Sequence, residues 1–232
     1  MFYDLHIHSA LSPCGNDDMT PNNIVNMALL KGLNAIAVTD HNSCKQQIVM
    51  AKVARASGLK YYYGVEVQSI EEVHILCYFL QEREMMNFQE WLEPLLLPIK
   101  NDVNYFGHQY IMNENDEVLD EEPYLLIQSI SASIDEVCEK AHEFHGLVIL
   151  AHVLDRSNSI TTQLGFIPES LDFDGIEIKK LSDKVKVMTM HPFLSSDGLW
   201  ILNSDAHQLI DIAEASQAMS EDELMMFWRK RL

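Results

Sequence analysis

Apolar residues in this chain fall into two patterns. Some form short continuous runs, which predict buried strands; others recur every three or four residues, which predicts amphipathic helices. Residues 2–6 predict a first strand, and residues 9–19 are polar and rich in turn formers. Thr20 and Pro21 then supply an N-cap and a proline at the first helical position. Ile24, Val25, Ala28 and Leu29 follow at helical spacing, and Gly32 closes the helix. Residues 34–38, with Ala35-Ile36-Ala37-Val38, form the next apolar run. Strand, helix and strand within about 35 residues make a βαβ unit.

The rhythm continues. Residues 45–57 predict a helix ended by Gly58, and residues 61–67 and 73–79 predict two strands. Residues 147–151, 175–178 and 199–202 predict three more strands. A capping box of Ser133 and Glu136 opens a helix over 133–144. A second box, Ser220 and Glu223, opens a C-terminal helix through Leu224, Phe227 and Trp228. Residues 81–123 break the pattern. Within them, 85–97 predict a helix that packs Trp91, Leu92, Leu95 and Leu96 inward, and Tyr110-Ile111-Met112 with Asn115-Asp116 predicts a small hairpin. This segment reads as an insertion or cap within one domain. Alternating strands and helices with about seven strands predict a closed or nearly closed parallel α/β barrel, whose chemistry sits at the C-terminal strand ends.

Composition narrows the class. The 232 residues suit one domain with a full core, and 47% apolar residues suit a globular enzyme. No apolar run approaches the ~18 residues of a membrane span. The N-terminus lacks a basic start followed by an apolar stretch, so a cytoplasmic location is expected. Cys14, Cys44, Cys77 and Cys138 lack CxxC spacing and read as free thiols. A net charge of −19 argues against a general nucleic-acid binder, although carboxylates that hold cations do not count as surface charge.

The predicted strand ends carry an unusual set of side chains. His6 and His8 lie two apart on an apolar run, half of a metal site. Asp40 and His41 follow the second strand, and Glu66 sits in apolar surroundings in the third. His74, His152, Asp205 and His207 complete the set. Each alone fits a structural role. Together they would be costly to bury unless cations joined them. His108, His142, His145 and His191 fall on predicted helices or in the insertion and read as structural.

The segments Asp4-Leu5-His6-Ile7-His8-Ser9, Thr39-Asp40-His41-Asn42, Gly64-Val65-Glu66, Ala151-His152 and Asn203-Ser204-Asp205-Ala206-His207 resemble, in order, the motifs of the PHP (polymerase and histidinol phosphatase) superfamily. The likeness runs from residue 2 to about 215 and is weakest over the insertion. It implies a distorted (β/α)7 barrel and a phosphoesterase with two or three divalent ions, Zn, Mn or Fe. It implies that His6, His8, Glu66 and Asp205 hold a first metal and that Glu66 bridges to a second, held also by His74 and His152. His41 and His207 would hold a third, with one ligand from the loop after His8. Asp40 would orient an imidazole. The loop departs from the family pattern. Cys14 stands at the six-residue offset where relatives have histidine, with Asp17 and Asp18 as rivals. A thiolate there favours zinc or iron, a carboxylate manganese or magnesium.

The reaction implied is attack on a phosphate ester by a metal-bridged hydroxide, with no protein nucleophile. Arg156 resembles the family's phosphate-binding cation, although Val153 replaces the usual proline, and Lys179 or Lys180 could face the mouth. The acidic charge and short chain favour a small phosphorylated substrate such as a nucleotide or sugar phosphate, with nucleic acid unfavoured beyond short oligonucleotides. Two other readings are an amidohydrolase, which shares the His-x-His and the late aspartate, and a non-catalytic metal-binding module.

Overall fold

The computed structural model describes residues 1–154 and 157–232 and shows a mixed α/β fold. Its strands are β1 (Tyr3–Ile7), β2 (Ala35–Val38), β3 (Lys60–Tyr61), β4 (Tyr63–Gln68), β5 (His74–Phe79), β6 (Tyr110–Met112), β7 (Val118–Glu121), β8 (Leu147–Leu150), β9 (Gly175–Glu177) and β10 (Leu199–Ile201). Among the described residues they form sheets in the orders β1-β2-β3, β10-β9-β8-β5-β4 and β6-β7. Single bridges join the first two sheets at both sides, Ile7 with Ala206 and His41 with Glu66. Gly64 makes the second join possible. A Cβ there would lie 2.7 Å from Thr39 Cγ2 and 3.0 Å from the Val38 carbonyl oxygen.

The predicted strands form, but not in an all-parallel arrangement. β5 runs antiparallel to both β4 and β8. The reason is chain length: only residues 69–73 separate β4 from β5, whereas a parallel crossover takes a dozen residues or more. The reversal places His74 at the start of β5, level with the C-terminal end of β4, where Gln68 pairs with it. One histidine therefore reaches the common mouth from the beginning of a strand rather than from its end.

Both faces of the strands are buried, which explains their continuous apolar runs. Tyr3, Leu5, Ala35, Ala37, Leu76, Tyr78, Leu147, Ile149, Leu199 and Ile201 pack with Leu224, Phe227 and Trp228 of the C-terminal helix Glu221–Trp228. The alternate set, including Ile36, Val38, Val65, Ile75, Cys77, Val148 and Leu150, packs against the helices Pro21–Leu30, Gln47–Ala56, Glu82–Leu92 and Ile134–Glu143. The expected caps are present. Thr20 and Ser220 each accept a backbone N–H from the third residue on, and Ser133 and Glu136 form a reciprocal box.

The helix expected over 85–97 instead runs from Glu82 to Leu92 and gives way to a 3₁₀ turn, Glu93–Leu95, at Pro94. Its start was missed because the cap is Gln81, which forms a box with Glu84. The hairpin β6-β7 lies against the first two helices. Asn22 donates to Asp116, Gln46 exchanges bonds with Met112, and Lys52 pairs with Glu114. All four cysteines are free thiols. Among the described residues no helix is long and apolar enough to cross a membrane.

Candidate metal centre

The side chains picked out at the strand ends converge on Glu66, which is buried on β4. Its Oε1 lies 3.0 Å from His74 Nδ1, 3.1 Å from His152 Nε2 and 3.4 Å from His6 Nε2. Its Oε2 lies 3.2 Å from His41 Nδ1 and 3.3 Å from His8 Nε2. Asp205 Oδ1 lies 3.3 Å from His8 Nε2 and 3.4 Å from His6 Nε2. The His207 ring stacks on His8 with centroids 4.4 Å apart. Among the described residues, three sets of donor atoms are close enough to share an ion: His6, His8 and Asp205; His41, Glu66 and His74; and His8, Cys14, His41 and His207.

This arrangement separates Cys14 from its rivals. The Cys14 sulfur joins three imidazoles, while Asp17 and Asp18 are exposed and belong to none of these sets. His152 lies within 3.3 Å of His74, and His41 also reaches the pair formed by Glu66 and His74.

The outer nitrogens are anchored by the protein. Glu177 holds His6 Nδ1 with both carboxylate oxygens, at 3.0 and 3.1 Å. Ser12 Oγ meets His8 Nδ1 at 3.2 Å, and Gln68 Oε1 meets His74 Nε2 at 3.2 Å. With these atoms fixed outward, the other nitrogens of the same rings face inward. His6 Nε2 and His8 Nε2 oppose each other at 3.2 Å, and buried His41 Nδ1 makes no hydrogen bond despite the nearby carboxylate. Five imidazoles crowded around one carboxylate, three of them pinned on their far sides, suit cations better than a hydrogen-bond network. The donors therefore fit divalent metal ions. Asn42, His152 and Asp205, all at the mouth, adopt positive φ of 50°, 27° and 56°, the kind of backbone strain that gathers at functional sites.

Charge within the cluster follows the same geometry. Burial alone would neutralise Glu66, but His74, His6 and His41 outweigh it and hold the carboxyl well below the usual range. Burial would depress His8, but Asp205 and Glu66 raise it to about 9. Burial dominates at His41 and His207 and lowers both. The Cys14 side chain is exposed at one edge, yet its sulfur is enclosed; burial, then Glu66, Asp40 and Asp205, push the thiol up.

Asp40 does not enter the cluster. Its carboxylate accepts from the Ser9 N–H at 2.8 Å, Ser9 Oγ at 2.6 Å and Ser12 Oγ at 2.7 Å, and it reaches His8 only through Ser12. Asp40 therefore supports the loop that orients His8. Arg156 lies outside the described residues. Lys179 and Lys180 are exposed just beyond β9. The four other histidines have separate partners or places. His108 meets Glu121, His142 meets Asp172 and Asp174, His145 meets the Arg231 carbonyl, and His191 is buried at a helix end.

Sequence reasoning passed over Glu177. Its signal was an acid inside the apolar run Gly175-Ile176-Glu177-Ile178. Besides His6, it accepts from the His152 N–H at 2.8 Å and Asn203 Nδ2 at 2.7 Å, linking three strand ends.

This fold with clustered imidazoles and carboxylates defines a metal-dependent hydrolase class. The chain belongs to the PHP domain family, whose family model matches residues 4–152. An uncharacterised protein of Methanocaldococcus jannaschii is 32% identical over 87 residues, covering 34% of this chain and 50% of that protein. A Bifidobacterium adolescentis protein, provisionally described as a metal-dependent phosphoesterase, superposes with a TM-score of 0.67 at 17% identity, covering 98% of this chain and 96% of that one. Lesion-specific endonuclease Q from Pyrococcus furiosus superposes with a TM-score of 0.63 at 21% identity, covering 89% of this chain and 48% of the enzyme. An endonuclease Q complex with a 27-mer duplex bearing an abasic lesion at the active site gives 0.62 at 19%, covering 98% and 56%. The chain thus spans about half the length of the curated relative and of the Pyrococcus enzyme.

The endonuclease complex corrects one expectation. A net charge of −19 was read as favouring a small phosphorylated substrate over nucleic acid. A protein of this fold acts on duplex DNA, so overall charge does not exclude that class. Cations held by buried carboxylates change the local potential without altering the formal count.

Proposed function

We propose that this chain hydrolyses phosphodiesters of nucleic acid with the aid of divalent cations at the strand mouth. The observation that carries the reading is the orientation of His6, His8 and His74, pinned on their outer nitrogens and turned inward around Glu66. His6, His8, Glu66 and Asp205 would hold one ion, and Glu66, His74 and His152 a second. Cys14, His41 and His207 would hold a third, with zinc, iron or manganese as the candidates. When bound, such ions neutralise phosphate charge and make water a competent nucleophile near neutral pH.

The protein's own groups do the rest. Glu66 and Asp205 supply the negative charge that retains cations, and Glu177 and Ser12 keep the rings aimed. The opening over the cluster is a cavity of about 120 Å³ whose rim includes Ser157 and Asn158, which bond to each other and to the Glu72 carbonyl. We also read β1, β2, β4, β5, β8, β9 and β10 as a distorted (β/α)7 barrel, supported by the two bridges between the sheets. Residues 81–123 then act as an insertion beside its mouth.

The test is direct. Purified chain is analysed for metal content, loaded with Mn²⁺, Fe²⁺ or Zn²⁺, and assayed on bis(p-nitrophenyl) phosphate and on single- and double-stranded oligonucleotides. Metal-dependent cleavage is expected. Metal-loaded chain that leaves every phosphodiester intact overturns the proposal.

A further inference from the structure

A second cavity, of about 410 Å³, shares no lining residue with the opening over the cluster but begins one residue beyond His41. Its wall begins at Asn42, the residue after His41, whose N–H donates to the Glu66 carbonyl. The opposite wall comes from the insertion and from Tyr124 and Leu126 just after it. Asn42 Nδ2 ties the two together by donating to the Leu126 and Gln128 carbonyls at 2.7 Å each. The volume falls within the range of small-ligand sites.

The lining indicates what it takes. Lys45 is held by Glu93 at 2.8 Å and Glu122 at 2.6 Å, so two carboxylates face one ammonium and a phosphate is disfavoured inside. Gln89 is buried, and its Oε1 accepts the Cys44 N–H, which leaves its amide N–H groups without a hydrogen bond among the described residues. Ser43 Oγ accepts from the Lys45 N–H and keeps its own proton to donate. Tyr124 is 40% exposed, while its backbone is fixed by a bond from Gln109 Nε2 and a bridge to Lys100. A neutral, flat, hydrogen-bonding ring satisfies all of these features: Tyr124 offers a stacking face, and Gln89 and Ser43 offer donors to ring nitrogens or carbonyls.

We infer that this cavity receives an unstacked nucleobase of the nucleotide next to the cleaved phosphate. The inference rests on the phosphodiesterase reading above. It also resolves a difficulty in that reading. With 16 Lys and Arg against 35 Asp and Glu, the chain lacks the basic footprint that usually binds a nucleic-acid backbone. Affinity must come from elsewhere, and base stacking is largely indifferent to net charge.

The test uses the full chain with two independent readouts: binding of a fluorescent single-stranded 12-mer by anisotropy, and turnover of bis(p-nitrophenyl) phosphate, which has no base. Tyr124→Ala is expected to weaken oligonucleotide binding about five-fold or more, the usual loss for one stacked base. Tyr124→Phe is expected to restore it, and neither change should alter bis(p-nitrophenyl) phosphate turnover. An abasic site at the contacted position should weaken wild-type binding and leave Tyr124→Ala unaffected. Equal binding by wild type and Tyr124→Ala, or no binding by wild type, overturns the inference. Failure of the phosphodiesterase reading shows separately, as absent turnover in the metal-loaded wild type.

Discussion

Glu177 grips His6 through both carboxylate oxygens, although 171 residues separate them in the chain. The contact fixes the tautomer of His6, placing the proton on Nδ1 and leaving Nε2 to face Glu66 and Asp205. Glu177→Gln keeps the shape but removes the charge. Loss of such an outer partner commonly lowers metal affinity about 10–100-fold. Dialysis against graded chelator, followed by elemental analysis, should show the variant losing an ion at lower chelator concentration than wild type. Identical release curves would assign Glu177 to packing alone.

Cys14 is expected to account for one ion. Cys14→Ala should bind one metal fewer per chain than wild type while keeping the ions around Glu66. In Co²⁺-substituted protein it should also lose the thiolate-to-metal charge-transfer absorbance. A variant with its full metal complement would remove Cys14 from the site, and Asp17→Ala and Asp18→Ala would then be tested in the same way.

Metal removal should destabilise the fold. His6, His8, His41 and Glu66 are buried at the centre, and paired cations offset the cost of keeping them there. An ion at a hundred times its Kd contributes about 2.7 kcal/mol, which for a chain of this size raises Tm by roughly 5–10 °C. Differential scanning fluorimetry with EDTA, and then with Mn²⁺ or Zn²⁺ restored, measures this. Equal melting temperatures would count against tight binding.

In metal-free protein, acid should loosen the C-terminus. Arg231 holds Asp172 at 2.7 Å and Asp174 at 2.7 Å. That guanidinium keeps the Asp172 carboxyl below its usual value. Because the folded value lies below the unfolded one, the stabilisation is complete above about pH 4 and is lost as pH falls through the folded value. Trp228, which donates to the His145 carbonyl and stacks on Tyr62, reports the change. Its fluorescence should shift in acid while the near-UV signal of the remaining aromatics holds. Arg231→Met should abolish the separate acid step, and an unchanged profile in that variant would locate the transition elsewhere.

Much of the architecture was legible locally. Continuous apolar runs marked the seven longer strand segments of the two main sheets because both of their faces are covered. Thr20, Ser133 and Ser220 marked helix starts because a capping bond involves residues only three apart. The site residues could be listed because imidazoles and carboxylates at apolar strand ends are costly without a partner. The start at Glu82 escaped notice because its Gln81 cap is an uncommon one, and Glu177 was missed because it looked like one polar residue in a strand.

The sequence by itself determined where the chain turns, which segments are strand or helix, and which residue types reach the mouth, since all of these follow from periodicity and near-neighbour bonds. Tertiary structure alone decided the reversal of β5, which nitrogens of His6, His8 and His74 face inward, the approach of Cys14 to His8, His41 and His207, and the tie between Glu177 and His6. Those features depend on contacts between residues distant in sequence, whose geometry exists only once the strands are in register.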